Sequence, residues 1–154
     1  MCAVPRNEKN GQDGRRLAAQ RMKWILLHFR GQMDERLRPE GVTTAQFMVL
    51  KAIRNELGAS GAQLARACHI TPQSAQALLK SLEDGGCIVR TKDAVNDRIL
   101  IAKLTPRGEK LLETGERVAR AIENKLWEGI PETAVESLNK TLVRCLTNLE
   151  GGPS

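Results

Sequence analysis

The chain lacks most of the features by which enzymes and membrane proteins declare themselves. None of its 154 residues falls in an apolar run of 18, and nothing at its start reads as a secretory signal, so a membrane-spanning role is excluded and a cytoplasmic location is expected. Gly-x-x-x-x-Gly-Lys, Gly-x-Gly-x-x-Gly, His-Glu-x-x-His and Gly-x-Ser-x-Gly are all absent, which removes the common phosphate-loop, dinucleotide, zinc-peptidase and hydrolase chemistries. No enzyme is expected. Histidine occurs only twice, as His28 and His69, and Cys68 beside His69 makes no metal pair because adjacent side chains point apart. The four cysteines, Cys2, Cys68, Cys87 and Cys145, contain no Cys-x-x-Cys and should stay reduced. Tyrosine is missing, and two Phe and two Trp leave the buried stripes to aliphatic residues. Internal repeats and low-complexity tracts are also absent.

What is present is an excess of positive charge with an uneven distribution. Lys and Arg number 24 against 18 acids, net +6, which favours an anionic partner without naming it. Residues 1 to 104 hold 17 basic and 10 acidic side chains, and residues 105 to 154 hold 7 and 8. The basic excess therefore belongs to the first two thirds of the chain, and the nearly neutral remainder suits a protein interface.

Within that basic part, Ser60 to Leu104 reads as helix, tight turn, helix and hairpin. Ser60-Gly61-Ala62-Gln63 is a Ser-x-x-Gln capping box that opens the first helix, through Leu64, Ala65 and Ala67. Cys68, His69 and Ile70 form the turn. Thr71-Pro72 starts the second helix, since Thr is a favoured N-cap and Pro at the first helical position gives up an N–H that has no partner there. Ala75, Leu78, Leu79 and Leu82 recur at helical spacing as its buried stripe, and Gly85-Gly86 ends it. Gln73, Ser74, Gln76, Ala77 and Lys80 occupy the opposite face, with groups that suit base edges and phosphates in a major groove. Any solvated helix has a polar face, but the hairpin that follows favours DNA. Cys87 to Thr91 and Ile99 to Leu104 are β-rich runs joined by the polar loop Lys92 to Arg98, which sets Lys92 and Arg98 at the tip for a minor groove or phosphates. Arg90, in the first run, is assigned to bracing the wing or touching backbone.

Four segments in order resemble the MarR family of bacterial transcriptional regulators: VTTAQFMVL from Val42, GAQLARACHITPQSAQALLKSLEDGGCIVR, KDAVNDR and LTPRGEKLL, together covering residues 42 to 112. One departure is visible. The family's wing carries Asp-x-Arg where this chain has Asn96-Asp97-Arg98, so an amide takes the place of the carboxylate that braces the arginine. The resemblance implies a mainly α fold with a small β-hairpin wing, a winged helix-turn-helix flanked by N- and C-terminal dimerisation helices. Pro5, Asn7, Asn10, Gly11 and Gly14 mark residues 1–14 as a flexible arm, and 15–150 are expected to form a single domain. Within that domain the winged helix-turn-helix takes 42–104 and the dimerisation helices take 15–38 and 105–150.

The flanking stripes agree. Ala18, Met22, Ile25, Phe29 and Met33 recur along the first helix; Leu111, Val118, Ile122 and Leu126 along the fifth; and Val135, Leu138, Leu142, Cys145, Leu146 and Leu149 along a last helix started by Pro131. These exceed what a winged helix can cover, so a homodimer reading a pseudo-palindromic double-stranded site is expected, as a repressor acting by operator occlusion. No cofactor is expected. Family effectors lodge between the dimerisation helices and the winged module, which implies a small aromatic or anionic ligand with Arg21, Trp24, Leu27, His28, Phe47 and Met48 as its lining. Trp24 and Phe47 at helical spacing are equally read as core. Two alternatives stay open: a winged helix that serves as a protein-interaction module, and a regulator that responds to thiol oxidation through Cys2 or Cys145.

Overall fold

A computed structural model describes the chain over residues 11–151. The element order is α1 (Gly11–Leu37), a 3-10 turn (Arg38–Glu40), α2 (Thr44–Asn55), α3 (Gly61–Ala67), α4 (Pro72–Asp84), β1 (Ile88–Lys92), β2 (Leu100–Leu104), α5 (Pro106–Leu126) and α6 (Glu132–Glu150). The mainly helical fold with one hairpin wing is thus as expected. Several boundaries differ, the strands beginning one residue later than expected, at Ile88 and Leu100. Helix α1 starts at Gly11, so residues 11–14 of the expected arm are helical, with Asp13 complementing the dipole of the first turn. Residues 1–10 of that arm, Cys2 among them, lie outside the described residues. Lys92 is the last residue of β1 and not part of the loop.

The chain forms two compact units, one ending at Ala119 and the other beginning at Arg120. In the first, both capping boxes close: Thr43 with Gln46 at α2, and Ser60 with Gln63 at α3. Gln46 is used twice, since its Nε2 also donates to Ser81 Oγ at 3.0 Å and ties α2 to α4. The strands pair antiparallel with Ile88 opposite Leu104 and Lys92 opposite Leu100, and Ser60 adds a single bridge to Ile101. Leu37, Leu50, Leu64, Leu82, Ile88 and Leu112 are buried almost completely and form the centre of the core. Burying a side chain of this kind stabilises by about 1.5–3 kcal/mol.

Two glycines let α5 lie close to this core. A Cβ on Gly108 would overlap the Cys87 carbonyl oxygen, and one on Gly115 would overlap the Phe47 ring. Thr105 secures the start of the helix, as its hydroxyl donates to the Gly86 carbonyl at 2.6 Å and its backbone N–H to the Cys87 carbonyl at 3.0 Å. Arg54 on α2 pairs with Glu109 at 3.7 Å and with Glu116, both on α5.

In the second unit, Gly129 turns the chain with φ +75° and Pro131 is the N-cap of α6, so the helix begins at Glu132, one position after the expected start. No α6 side chain is buried, and Leu138, Val143, Leu146 and Leu149 are exposed. Helix α1 likewise exposes Met22, Trp24, Ile25, Leu26 and Leu27.

Candidate nucleic-acid interface

The turn between α3 and α4 is fixed by backbone geometry. Ile70 N–H donates to the Ala65 carbonyl at 3.0 Å and His69 N–H to the Arg66 carbonyl at 3.1 Å, a Schellman ending that puts His69 in the left-handed region at φ +53°. Thr71 then caps α4 by accepting from Ser74 N–H at 3.1 Å. Ala75, Leu79 and Leu82 point inward, Leu78 is half-buried, and Gln73, Ser74, Gln76, Ala77 and Lys80 are exposed on α4. The polar face expected from sequence therefore exists. Gly86, at φ +71°, ends the helix by the same device, with Cys87 N–H donating to the Leu82 carbonyl at 2.8 Å.

Several of these side chains are already engaged. Ser74 Oγ accepts from the Thr71 hydroxyl at 2.9 Å, and Lys80 pairs with Asp84 at 3.0 Å on the exposed helix surface. Arg90 is half-buried and directed at Glu83, whose Oε2 accepts from Nε at 2.9 Å and from Nη2 at 2.6 Å. Its remaining arm donates from Nη1 to Gln76 Oε1 at 3.3 Å. Hydrogen bonding from Arg90 holds the Glu83 carboxyl below its ordinary range, reinforced by the guanidinium charge. Arg90 is thus the wing's brace to α4. The brace residue that sequence reasoning missed is Glu83, seven residues before Arg90 across the Gly-Gly turn, a relation that helical periodicity cannot show.

At the wing tip, Asp93 N–H donates to the Ile99 carbonyl at 2.8 Å and Ile99 N–H to the Asn96 carbonyl at 3.0 Å. Asn96 Oδ1 accepts from the backbone N–H of Arg98 at 3.1 Å. The amide at the departing position thus steadies the turn, and the Arg98 side chain is exposed. Gln76, Arg90 and Arg98 converge on one groove of about 440 Å³ between α3, α4 and the wing, floored by Leu79 and Leu100. Gln73, Ser74, Ala77, Lys80 and Lys92 lie outside its lining.

The residues assigned to an effector are dispersed in character. Phe47 is 3% exposed and packed against Gly115, so it fills core and offers no open wall. Arg21, Trp24, Leu27 and His28 on α1, and Met48 on α2, are exposed. Among the cysteines, burial followed by the nearby Glu56 charge pushes the Cys68 thiol up, away from the reactive thiolate, and its Sγ donates to the Met48 carbonyl at 3.7 Å. Cys87 is buried and Cys145 is exposed on α6. Among the described residues, no helix is long and apolar enough to cross a membrane, and no group of three His, Cys, Asp or Glu could hold a metal.

A helix-turn-helix with an exposed polar second helix, continued by a hairpin whose tip exposes Arg98, defines a winged-helix DNA-binding protein. Comparison with known proteins gives the family. The MarR family model matches residues 40–99. The HTH-type transcriptional repressor Rv2887 of Mycobacterium tuberculosis is 35% identical over 97 residues, 63% of this chain and 70% of the relative. The chain belongs to the MarR family of transcriptional regulators. Among solved structures, Rv2887 in complex with salicylic acid is 28% identical with a TM-score of 0.64, over 80% of this chain and 92% of that one. CouR from Rhodococcus jostii RHA1, bound to p-coumaroyl-CoA, has the same fold at 22% identity and a TM-score of 0.73, over 96% and 99% of the two chains.

Proposed function

We propose that this protein is a cytoplasmic, non-enzymatic, ligand-responsive repressor that binds a pseudo-palindromic duplex as a homodimer and acts by occluding its operator. The observation that carries the reading is the adjacency of the exposed α4 face and the Arg98-bearing wing on one side of the module. Gln73, Gln76 and Ala77 then address base edges, with Ser74 and Lys80 close to the backbone, while Lys92 and Arg98 serve the minor groove or phosphates. Arg90 supports these contacts as a brace.

The dimer reading is supported by apolar side chains left in water, including Leu26, Leu27 and Leu146. In this scheme residues 15–38 and 105–150 are the dimerisation segments around the winged helix-turn-helix of 42–104, within one domain of 15–150. Repression follows the relative's name, and ligand response follows its complex with salicylic acid. The effector surface is assigned to Arg21, Trp24, Leu27, His28 and Met48, with the cations as partners for a carboxylate or phenolate. A ligand that favours a dimer with mismatched recognition helices releases DNA.

The test is fluorescence anisotropy of a duplex titrated with the protein across a salt series, followed by aromatic acids. Binding that weakens steeply with salt, and release by ligand in both the parent and a variant with all cysteines changed to serine, is expected. Absence of duplex binding at low salt would leave a protein-interaction module. Release by oxidant alone, only in the parent, would replace the ligand with a thiol switch.

A further inference from the structure

The wing loop carries charges that cancel. Lys92 and Arg98 at its two ends adjoin Asp93 and Asp97, so residues 92–98 have no net charge and, taken together, no net attraction to phosphates. Between these pairs lie Ala94 and Val95, both exposed, and Val95 at 94% is the most exposed of the large apolar side chains among the described residues. It adds nothing to the core. The loop that carries it is nonetheless held: Asp93 N–H donates to the Ile99 carbonyl, and Asn96 accepts from Ile99 N–H through its carbonyl and from Arg98 N–H through Oδ1. Val95 is therefore presented to solvent from a fixed frame.

We infer that Val95 is a DNA-contacting residue, seated in the minor groove as an apolar wedge between its walls. This rests on the DNA-binding reading above and gives the wing tip a contact that Lys92 and Arg98 do not make. The minor groove is only about 6 Å wide, and a loop tip of small side chains without polar atoms can enter it and leave none of its own groups unpaired. Valine is stiff at χ1, so it loses little freedom when clasped there. Its methyl groups cannot partner the N2 amino group that guanine presents on the groove floor, and covering that donor leaves it unsatisfied. The Val95 contact is thus sensitive to a minor-groove amino group and insensitive to salt, whereas the contacts of Lys92 and Arg98 follow salt.

The experiment starts from a duplex that the full-length parent enriches from a random pool and measures affinity by fluorescence anisotropy across a salt series. Val95→Ser, which exchanges methyl groups for a hydroxyl at an exposed site, should melt with the parent and bind about three- to tenfold more weakly for each wing, at an unchanged salt slope. Inosine for guanine removes the minor-groove amino group and 2,6-diaminopurine for adenine adds it, with the major-groove pattern unaltered. Stepped through the duplex one pair at a time, these exchanges should locate a position where the amino group weakens the parent and weakens Val95→Ser markedly less. Equal or higher affinity of Val95→Ser would overturn the inference, as would a salt slope that changes with Val95, or no position at which the amino group separates the two proteins. The regulator reading would survive each of these. Failure of the parent to enrich any duplex would overturn both.

Discussion

Gly108→Ala sets two effects against each other, and the structure says which wins. In an ordinary helix position alanine is better than glycine by about 0.8–1 kcal/mol. At position 108 the added Cβ would overlap the Cys87 carbonyl oxygen and sit 3.0 Å from its carbonyl carbon. Both obstructing atoms are backbone, so no rotamer change relieves the contact, and Cys87 is itself buried and fixed by its N–H bond to Leu82. Overpacking costs about 1–3 kcal/mol where side chains can adjust, and more where they cannot. Relief here requires α5 to lift away, at the expense of the Thr105 bonds to Gly86 and Cys87. The net loss should be roughly 2–4 kcal/mol after alanine's propensity gain. Urea unfolding at fixed protomer concentration reads it directly: with a slope of about 2 kcal/mol/M, the midpoint should fall by about 1–2 M. Gly14→Ala, on α1 with open space around it, is the control and should gain up to about 1 kcal/mol. An equal or higher midpoint for Gly108→Ala would refute the close packing of α5 on the α4–β1 junction.

Three further outcomes follow from the same geometry. The Glu83 carboxyl titrates below its ordinary value when folded, so the brace stabilises the protein above the unfolded carboxylate range and this contribution disappears as pH falls through the folded value. Thermal melts of the parent and Glu83→Gln should therefore differ at pH 7 and converge as the pH falls below the folded Glu83 value; a constant gap would exclude the ion pair as its cause. His69→Gly should raise stability by up to about 1 kcal/mol, since a left-handed residue other than glycine costs about 1–2 kcal/mol and glycine's greater freedom when unfolded returns part of that; a clear loss on thermal melting would show that the imbalance lies elsewhere. Arg98→Ala and Lys92→Ala should each weaken duplex binding and lower the salt slope by about one, and an unchanged slope would remove that residue from the phosphate contacts.

Much of the fold is legible locally. Ser60 with Gln63, Thr71 with Ser74, and Gly86 at the end of α4 satisfy backbone groups within a few residues of themselves, so their consequences can be read from spacing. Gly11 and Gly14 misled at the start of α1 because a helix tolerates isolated glycines. The site was less legible. Gln76 was visible as an exposed polar residue, but its partner Arg90 reaches it only after the chain has reversed through Gly85-Gly86, and Glu83 gives no local signal at all. Phe47 fitted a pocket wall and a core position equally well by periodicity; Gly115, far along the chain, decides for the core. Long-range complementarity of this kind has no period to detect.

The account rests on α4 and the wing reading DNA in two symmetric copies. Selection of bound duplexes from a random pool by the parent protein tests that most directly, with the mass of the eluted complex measured alongside. The predicted result is an inverted repeat whose half-sites lie about one helical turn, roughly 10–10.5 bp, apart, bound by two chains. A pool that stays random, or a single half-site bound by one chain, would contradict it.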